Sequence, residues 1–372
     1  MILTYYKNNK KFLTRKTSSG KVLNELDGLR ALAIFMVIYF HSFGFFKTHL
    51  PEVLLTFPEW FSNIMKNGDN GVPLFFAISA FILGLPFAKH HLYGGKKVKL
   101  KKYFIRRITR LQPTYFIVIL CFGFLYFLKN KYELSTLIQS FTLSNLYLHN
   151  IVLQAGSFIN YVAWSLEIEF QFYLILPAMA ILFKLPAVYR RILLVIGILS
   201  GSFFHAGFNQ LPYLSLLNYY HYFLAGLLCL DLYLTKPELL KQKNLISFIL
   251  GTTSLLIITT QSPHQAIGVF SIPFAACLIL LLALQNPFWN KLFSFNFLSK
   301  TGTMSYSMYL IHFQIIAVGG IPIVALFKQT GSYCLLVVSV LILFTSIWFL
   351  SAFTFLLVEK PFMNPNWYKL KK

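Results

Sequence analysis

The sequence predicts an all-α polytopic membrane helix bundle of about ten transmembrane helices, with N- and C-termini cytoplasmic, and three observations carry the prediction. Of 372 residues, 57% are hydrophobic and only 12% charged, with a mean hydropathy of +0.64, far to the apolar side of soluble domains. Ten apolar runs approach the length, about 20 helical residues, that a hydrocarbon core of about 30 Å requires. The basic residues fall almost wholly in alternate loops, as the positive-inside rule demands. A formal charge of +22 alone would suit a nucleic-acid-binding protein. Such a protein could not also carry this much apolar surface in water, so membrane lipid is the expected neighbour and nucleic acid is not. Disordered and disulfide-stapled classes are excluded on the same ground. The four cysteines, Cys121, Cys229, Cys277 and Cys334, lie inside apolar runs and read as small buried hydrophobes without metal-like spacing to any histidine.

Each element follows from a run and its flanks. The first run, 27–47, follows six basic residues; the second, 71–88, and third, 111–128, are joined by a stretch from Lys89 to Arg110 that holds nine. The fourth, 161–183, and fifth, 192–207, flank Lys184, Arg190 and Arg191, and the sixth, 216–234, and seventh, 244–261, flank Lys236, Lys241 and Lys243. The eighth, 266–285, and ninth, 302–327, flank Lys291 and Lys300, and four basic residues follow Glu359 after the tenth, 332–358. With a cytoplasmic N-terminus, 27 of the 33 Lys and Arg lie inside, while Lys47, Lys66, Lys129, Lys131 and Lys328 lie outside and Arg30 sits within the first run. A miscounted helix would scramble this asymmetry. The fifth and sixth runs are short enough for one of them to be partly re-entrant. The first 26 residues are polar and basic, with no small-residue cleavage pattern after the first apolar run, which reads as an uncleaved anchor. The chain therefore divides into a cytoplasmic basic tail (1–23), a membrane domain (24–362) and a cytoplasmic C-terminal tail (363–372).

Titratable groups at bilayer depth are costly, so each is a functional candidate until a structural role explains it. They are Asp27, Arg30, His41, Glu167, Glu169, His205, His221, Asp231 and His312. Arg30 and His41 are eleven residues apart, three helical turns and about 20°, which puts them on one face roughly 16 Å apart along the axis. A lone intramembrane histidine ordinarily hydrogen-bonds to a neighbouring helix; an aligned arginine below it points instead to a polar channel. Asp27, one turn before Arg30, can neutralise it. Glu167 and Glu169 are about 200° apart on a helix and cannot share a face. Trp164 and Tyr173 read equally as interfacial aromatic anchors. Arg107 and Arg110, three apart, are spaced to grip one polyanion, and guanidinium forks match phosphate oxygens, although ordinary positive-inside charge or contact with anionic lipid explains them as well. Asp231, near a cytoplasmic end, is expected to snorkel or to pair with Lys236. His312 falls at the midplane.

Six ordered blocks between residues 24 and 362 together carry a resemblance. LDGLRALAIFMVIYFH resembles the first helix of the acyltransferase-3 family of integral membrane sugar and glycan O-acyltransferases, whose hallmark is an Arg, ten residues, then a His. GVPLFFAISAFIL is similar to its second-helix pattern, RRITRLQPTY to its cytoplasmic Arg-x-x-Arg pattern, and WSLEIEFQFYLILP to its Trp-Ser-Leu block, while SYSMYLIH and VEKPF resemble its last-helix signatures. Pro73 stands where that family usually has an acidic residue, Ala80 where Gly is common, Phe170 in place of a second Glu, and Glu167 where a small residue is usual. Some relatives carry a fused extracellular esterase-like domain; no stretch beyond residue 358 is expected to form one here.

The resemblance implies transfer of an acyl group, often acetyl, from cytoplasmic acyl-coenzyme A to a sugar hydroxyl of a cell-surface or secreted glycan, in a bacterial plasma (inner) membrane and without a metal. It makes His41 the catalytic histidine with Arg30 and Glu169, and gives Arg107, Arg110 and Tyr115 to coenzyme A. It places Asp27, Trp164, Ser165, Glu167 and His312 with the substrate. The chemistry is compatible: imidazole can take a hydroxyl proton near neutrality, and Arg30, Ser165 or backbone amides can meet the developing oxyanion. A transient acyl-imidazole is the alternative route. A glycan or small-molecule exporter would use the same basic vestibule and polar file.

Overall fold

In a computed structural model of the chain, which describes residue 13 and residues 23–54, 56–207 and 214–363, no strand occurs among the described residues. Most of both tails lies outside them. Every predicted apolar run is a helix. We number the ten long helices α1 (Asn24–His49), α2 (Gly71–Tyr93), α3 (Leu100–Leu128), α4 (Trp164–Met179), α5 (Ala187–Gly207), α6 (Leu216–Thr235), α7 (Leu245–Thr260), α8 (Ala266–Gln285), α9 (Ser305–Thr330) and α10 (Tyr333–Thr354). Among the described residues, eight spans are long and apolar enough to cross a membrane, and α7, at 16 residues, is shorter. The helix α6 has the length but carries Asn218, His221 and Asp231, which lower its hydropathy; all three are buried inside the protein. Each of α5 and α6 runs as one unbroken helix, over 21 and 20 residues.

Local chemistry sets the ends. Asn244 caps α7 by accepting the Ser247 N–H at 2.8 Å while the Ser247 hydroxyl answers the Asn244 N–H, a reciprocal box. Gly94 and Gly331, at φ +65° and +60°, close α2 and α9 in the left-handed region that glycine enters without a Cβ clash.

Packing inverts the soluble pattern. Large apolar side chains such as Phe124, Val337 and Phe353 face outward, as a lipid solvent allows, and the centre is built around α1, α2, α6 and α8. Phe76 and Phe223 stack at 4.5 Å between ring centroids, and Phe172 of α4 stacks on Phe223 at 4.1 Å. Small residues bring backbones together. A Cβ on Gly226 would lie 2.1 Å from the Ala77 carbonyl oxygen, so only glycine lets α6 touch α2 here.

Two expectations change. Asp231 pairs with neither solvent nor Lys236: Arg190 and Arg191 each donate an Nε hydrogen to one of its oxygens at 2.7 Å. Arg190 is 2% exposed and Asp231 0%, so two loop-end arginines counted as topology charges form a buried clamp between α5 and α6. Among the cysteines, Cys229 and Cys277 are buried, but Cys121 and Cys334 are exposed on α3 and α10. Both lie beside other outward-facing apolar residues, where a thiol is as acceptable to lipid as to a core.

Candidate active site

The polar groups of five helices converge on one cavity. Arg30 comes from α1, Ser79 from α2, Arg107 and Arg110 from α3, Ser165 and Glu169 from α4, and Ser305, Tyr306 and Tyr309 from α9, with Phe75, Phe76, Leu83 and Leu111 among its apolar walls. The helical spacings explain the convergence: Arg107 and Arg110 are three apart, and Ser165 and Glu169, like Ser305 and Tyr309, are four apart.

Hydrogen bonds hold the cavity walls. Asp27 pairs with Arg30 at 2.9 Å one turn away, as its spacing predicts. Ser79 donates to the Glu169 carboxylate, tying α2 to α4. The Tyr309 hydroxyl lies 2.7 Å from Ser165 Oγ and also donates to the Val162 carbonyl, tying α9 to α4. Three guanidinium groups line the cavity against the single carboxylate of Glu169, and Arg107 Nε is buried without a hydrogen-bond partner. An unspent buried donor in a positive cavity is chemically suited to an anion.

Other predicted residues lie outside the lining. Tyr115 is fully buried, its ring stacked on Tyr147 at 5.7 Å, and Tyr147 in turn stacks on Phe170 at 4.3 Å. Glu167 does point away from Glu169: it accepts the Asn150 N–H at 2.9 Å, and Asn150 Nδ2 bonds the Trp164 carbonyl at 2.8 Å, so the start of α4 is fastened to the preceding segment. Trp164 is half-buried against Tyr219 at 5.3 Å. His205, His221 and His264 form a separate chain with ring centroids 5.4 and 6.4 Å apart. His264, in the loop before α8, faces Asp69 at 3.6 Å, which holds its proton affinity above the ordinary imidazole value.

His41 and His312 meet each other, with ring centroids 5.2 Å apart, and His41 also packs edge-on to Phe313 at 5.2 Å. Tyr309 connects this pair to the cavity, because it lines the cavity and its hydroxyl bonds to Ser165, another lining residue, while its backbone carbonyl accepts from His312 Nδ1 at 2.8 Å. Ser79, Ser305, Tyr306 and Tyr309 were not singled out as site residues from sequence. The signal for the last three lay in SYSMYLIH, where polar residues recur at helical spacing inside an apolar run.

The sequence profile of an acyltransferase domain family, acyltransferase-3, matches residues 23–357. This chain belongs to the acyltransferase-3 family. It is 25% identical over 332 residues to a peptidoglycan O-acetyltransferase, OatA, of Listeria monocytogenes, covering 80% of this chain and 50% of that protein. It is 27% identical over 333 residues to the O-acetyltransferase OatA of Staphylococcus aureus strain NCTC 8325, covering 81% of this chain and 52% of the relative. The chain thus spans about half the length of these curated relatives. No solved structure matches it. As a family member, the chain is an integral membrane protein, and the six blocks that carry the resemblance fall on α1, α2, α3, α4, α9 and the segment that follows α10.

Proposed function

We propose that this chain transfers an acyl group, acetyl in the first instance, from cytoplasmic acyl-coenzyme A to a hydroxyl of a cell-surface carbohydrate. The observation that carries the reading is the arginine-lined cavity, joined through Tyr309 to the His41 and His312 pair. Acyl-coenzyme A is a polyphosphate with an apolar thioester arm. Arg107 and Arg110 offer forks to the phosphates, and Phe75, Phe76 and Leu83 offer an apolar wall to the arm. The names of the OatA relatives favour a cell-wall polysaccharide as the acceptor, and a bacterial plasma membrane as the location.

In the reaction, His41 accepts the proton of the acceptor hydroxyl, and the freed oxygen attacks the thioester carbonyl. A carbon–oxygen bond forms as charge moves to the carbonyl oxygen, where the Ser165 hydroxyl can meet it. The carbon–sulfur bond then breaks, and the thiolate leaves with the proton from the His41 imidazolium. No net proton is gained or lost.

Vesicles containing the protein, acetyl-coenzyme A and a cell-wall glycan test the scheme. His41→Ala should lower transfer by about 100-fold or more, the scale of general-base loss. Arg107→Ala with Arg110→Ala should raise KM for acetyl-coenzyme A by about 10-fold or more, as expected for two lost charge-assisted bonds, with KM for the glycan little changed. Full activity in His41→Ala, or movement of glycan across the vesicle without acyl transfer, overturns the reading.

A further inference from the structure

Resting on that reading, we infer that His312 is a positioning residue for His41: its Nε2 accepts the single N–H of the neutral His41 imidazole and so aims the other, unprotonated ring nitrogen at the acceptor hydroxyl. The inference begins with a fixed tautomer. His312 Nδ1 faces two backbone carbonyls, Met308 O at 3.0 Å and Tyr309 O at 2.8 Å. Carbonyl oxygens only accept, so Nδ1 carries the hydrogen, and Nε2 of the neutral ring is an acceptor.

That acceptor is unspent. His312 is 0% exposed, and its Nε2 is buried without a hydrogen-bond partner, an arrangement that costs free energy unless a donor arrives. Two polar rings lie near it: Tyr309 at 5.9 Å and His41 at 5.2 Å between centroids. The Tyr309 hydroxyl is committed to Ser165 and the Val162 carbonyl. His41 is left as the donor. At 5.2 Å and 42° between ring planes, a small rotation of the half-buried His41 brings an N–H to Nε2.

The consequence is the division of labour of a base and its orienter, with a neutral imidazole where a carboxylate is more usual. The contact also selects which His41 nitrogen is unprotonated. It strengthens as the reaction proceeds, because an imidazolium N–H is a better donor than a neutral one. His312 itself never touches substrate or gains a proton. Because the tautomer is set by backbone carbonyls of α9, a turn that also carries Tyr309, the orientation of the base is coupled to the cavity wall.

Steady-state kinetics of purified full-length protein in vesicles test this with three variants. His312→Phe, which fills the space without an acceptor, should lower kcat by about 100-fold, with KM for acetyl-coenzyme A and for the glycan each within about 2-fold of wild type. His312→Gln, whose amide oxygen can accept, should recover kcat to within about 10-fold. His41→Ala serves as the reference. An inactive His41→Ala with His312→Phe at wild-type kcat overturns the inference and leaves the base assignment standing. Equal loss in His312→Phe and His312→Gln, or a change in KM in place of kcat, also overturns it, since packing or substrate contact would then explain the residue. An active His41→Ala removes the premise itself.

Discussion

Asp231 shows how a single charge is read differently in sequence and in space. Its neighbours along the chain suggested Lys236, five residues on, but its partners are Arg190 and Arg191, about 40 positions earlier on α5. Nothing in local spacing encodes that pairing. It arises because α5 and α6 lie side by side and the carboxylate has two oxygens to divide between two guanidinium groups. Arg190 also donates to the Leu185 carbonyl at 2.6 Å and Arg191 to the Thr235 hydroxyl at 2.8 Å, so the cations are satisfied beyond the ion pair. Such a clamp stabilises only while complete, and removing one partner of a buried pair typically costs about 3–5 kcal/mol. Asp231→Ala should therefore lower the unfolding temperature in detergent and the yield of folded protein, while molecules that do fold keep wild-type KM for acetyl-coenzyme A. Thermal melts combined with initial rates on the folded fraction check both halves. Unchanged stability would show that the clamp is compensated elsewhere.

The ten long helices were legible because apolar length and loop charge are local signals, and each predicted run is a helix. The site was legible only in part. Arg30, Arg107, Arg110, Ser165 and Glu169 could be nominated from motif and spacing, and they meet in one cavity. Tyr309 could not, because a tyrosine in an apolar helix faces lipid, core or cavity according to its neighbours. The short helix Asn296–Thr303 was likewise missed, most of it falling between the eighth and ninth runs, yet it packs directly on α1. A Cβ on Gly302 would sit 1.5 Å from the Asp27 carbonyl oxygen, and one on Gly28 of α1 would sit 1.8 Å from the Phe293 carbonyl oxygen. Backbone is in contact with backbone at both points, beneath the Asp27 and Arg30 pair. Gly302→Ala must push the short helix off α1, at about 1–3 kcal/mol for overpacking. It should lower thermal stability and, by tilting the Arg30 turn, reduce kcat even though residue 302 touches no substrate. Gly44→Ala on α1, where a Cβ meets nothing within 4 Å, is the control and should match wild type in both measurements.

At the scale of the whole molecule, the proposed chemistry depends on which way the bundle faces. Arg30 lies in the second turn of α1, and Arg107 and Arg110 in the first three turns of α3. These are the ends that adjoin the basic loops, so loop charge and cavity belong to one side. His41 lies about three turns further along α1, towards the opposite face. If the basic side is cytoplasmic, the arginines meet acyl-coenzyme A where it is made, and the histidine pair lies on the path to an outer acceptor; inverted, the cavity would open to a compartment without the donor. In a chain whose four native cysteines are replaced, Lys97→Cys in the basic loop after α2 and Lys131→Cys after α3 report the two sides separately. A membrane-impermeant maleimide should label Lys131→Cys in intact cells and Lys97→Cys only after permeabilisation. The reverse pattern would place the arginines outside and defeat cytoplasmic acyl-coenzyme A as donor, whatever the acceptor proves to be.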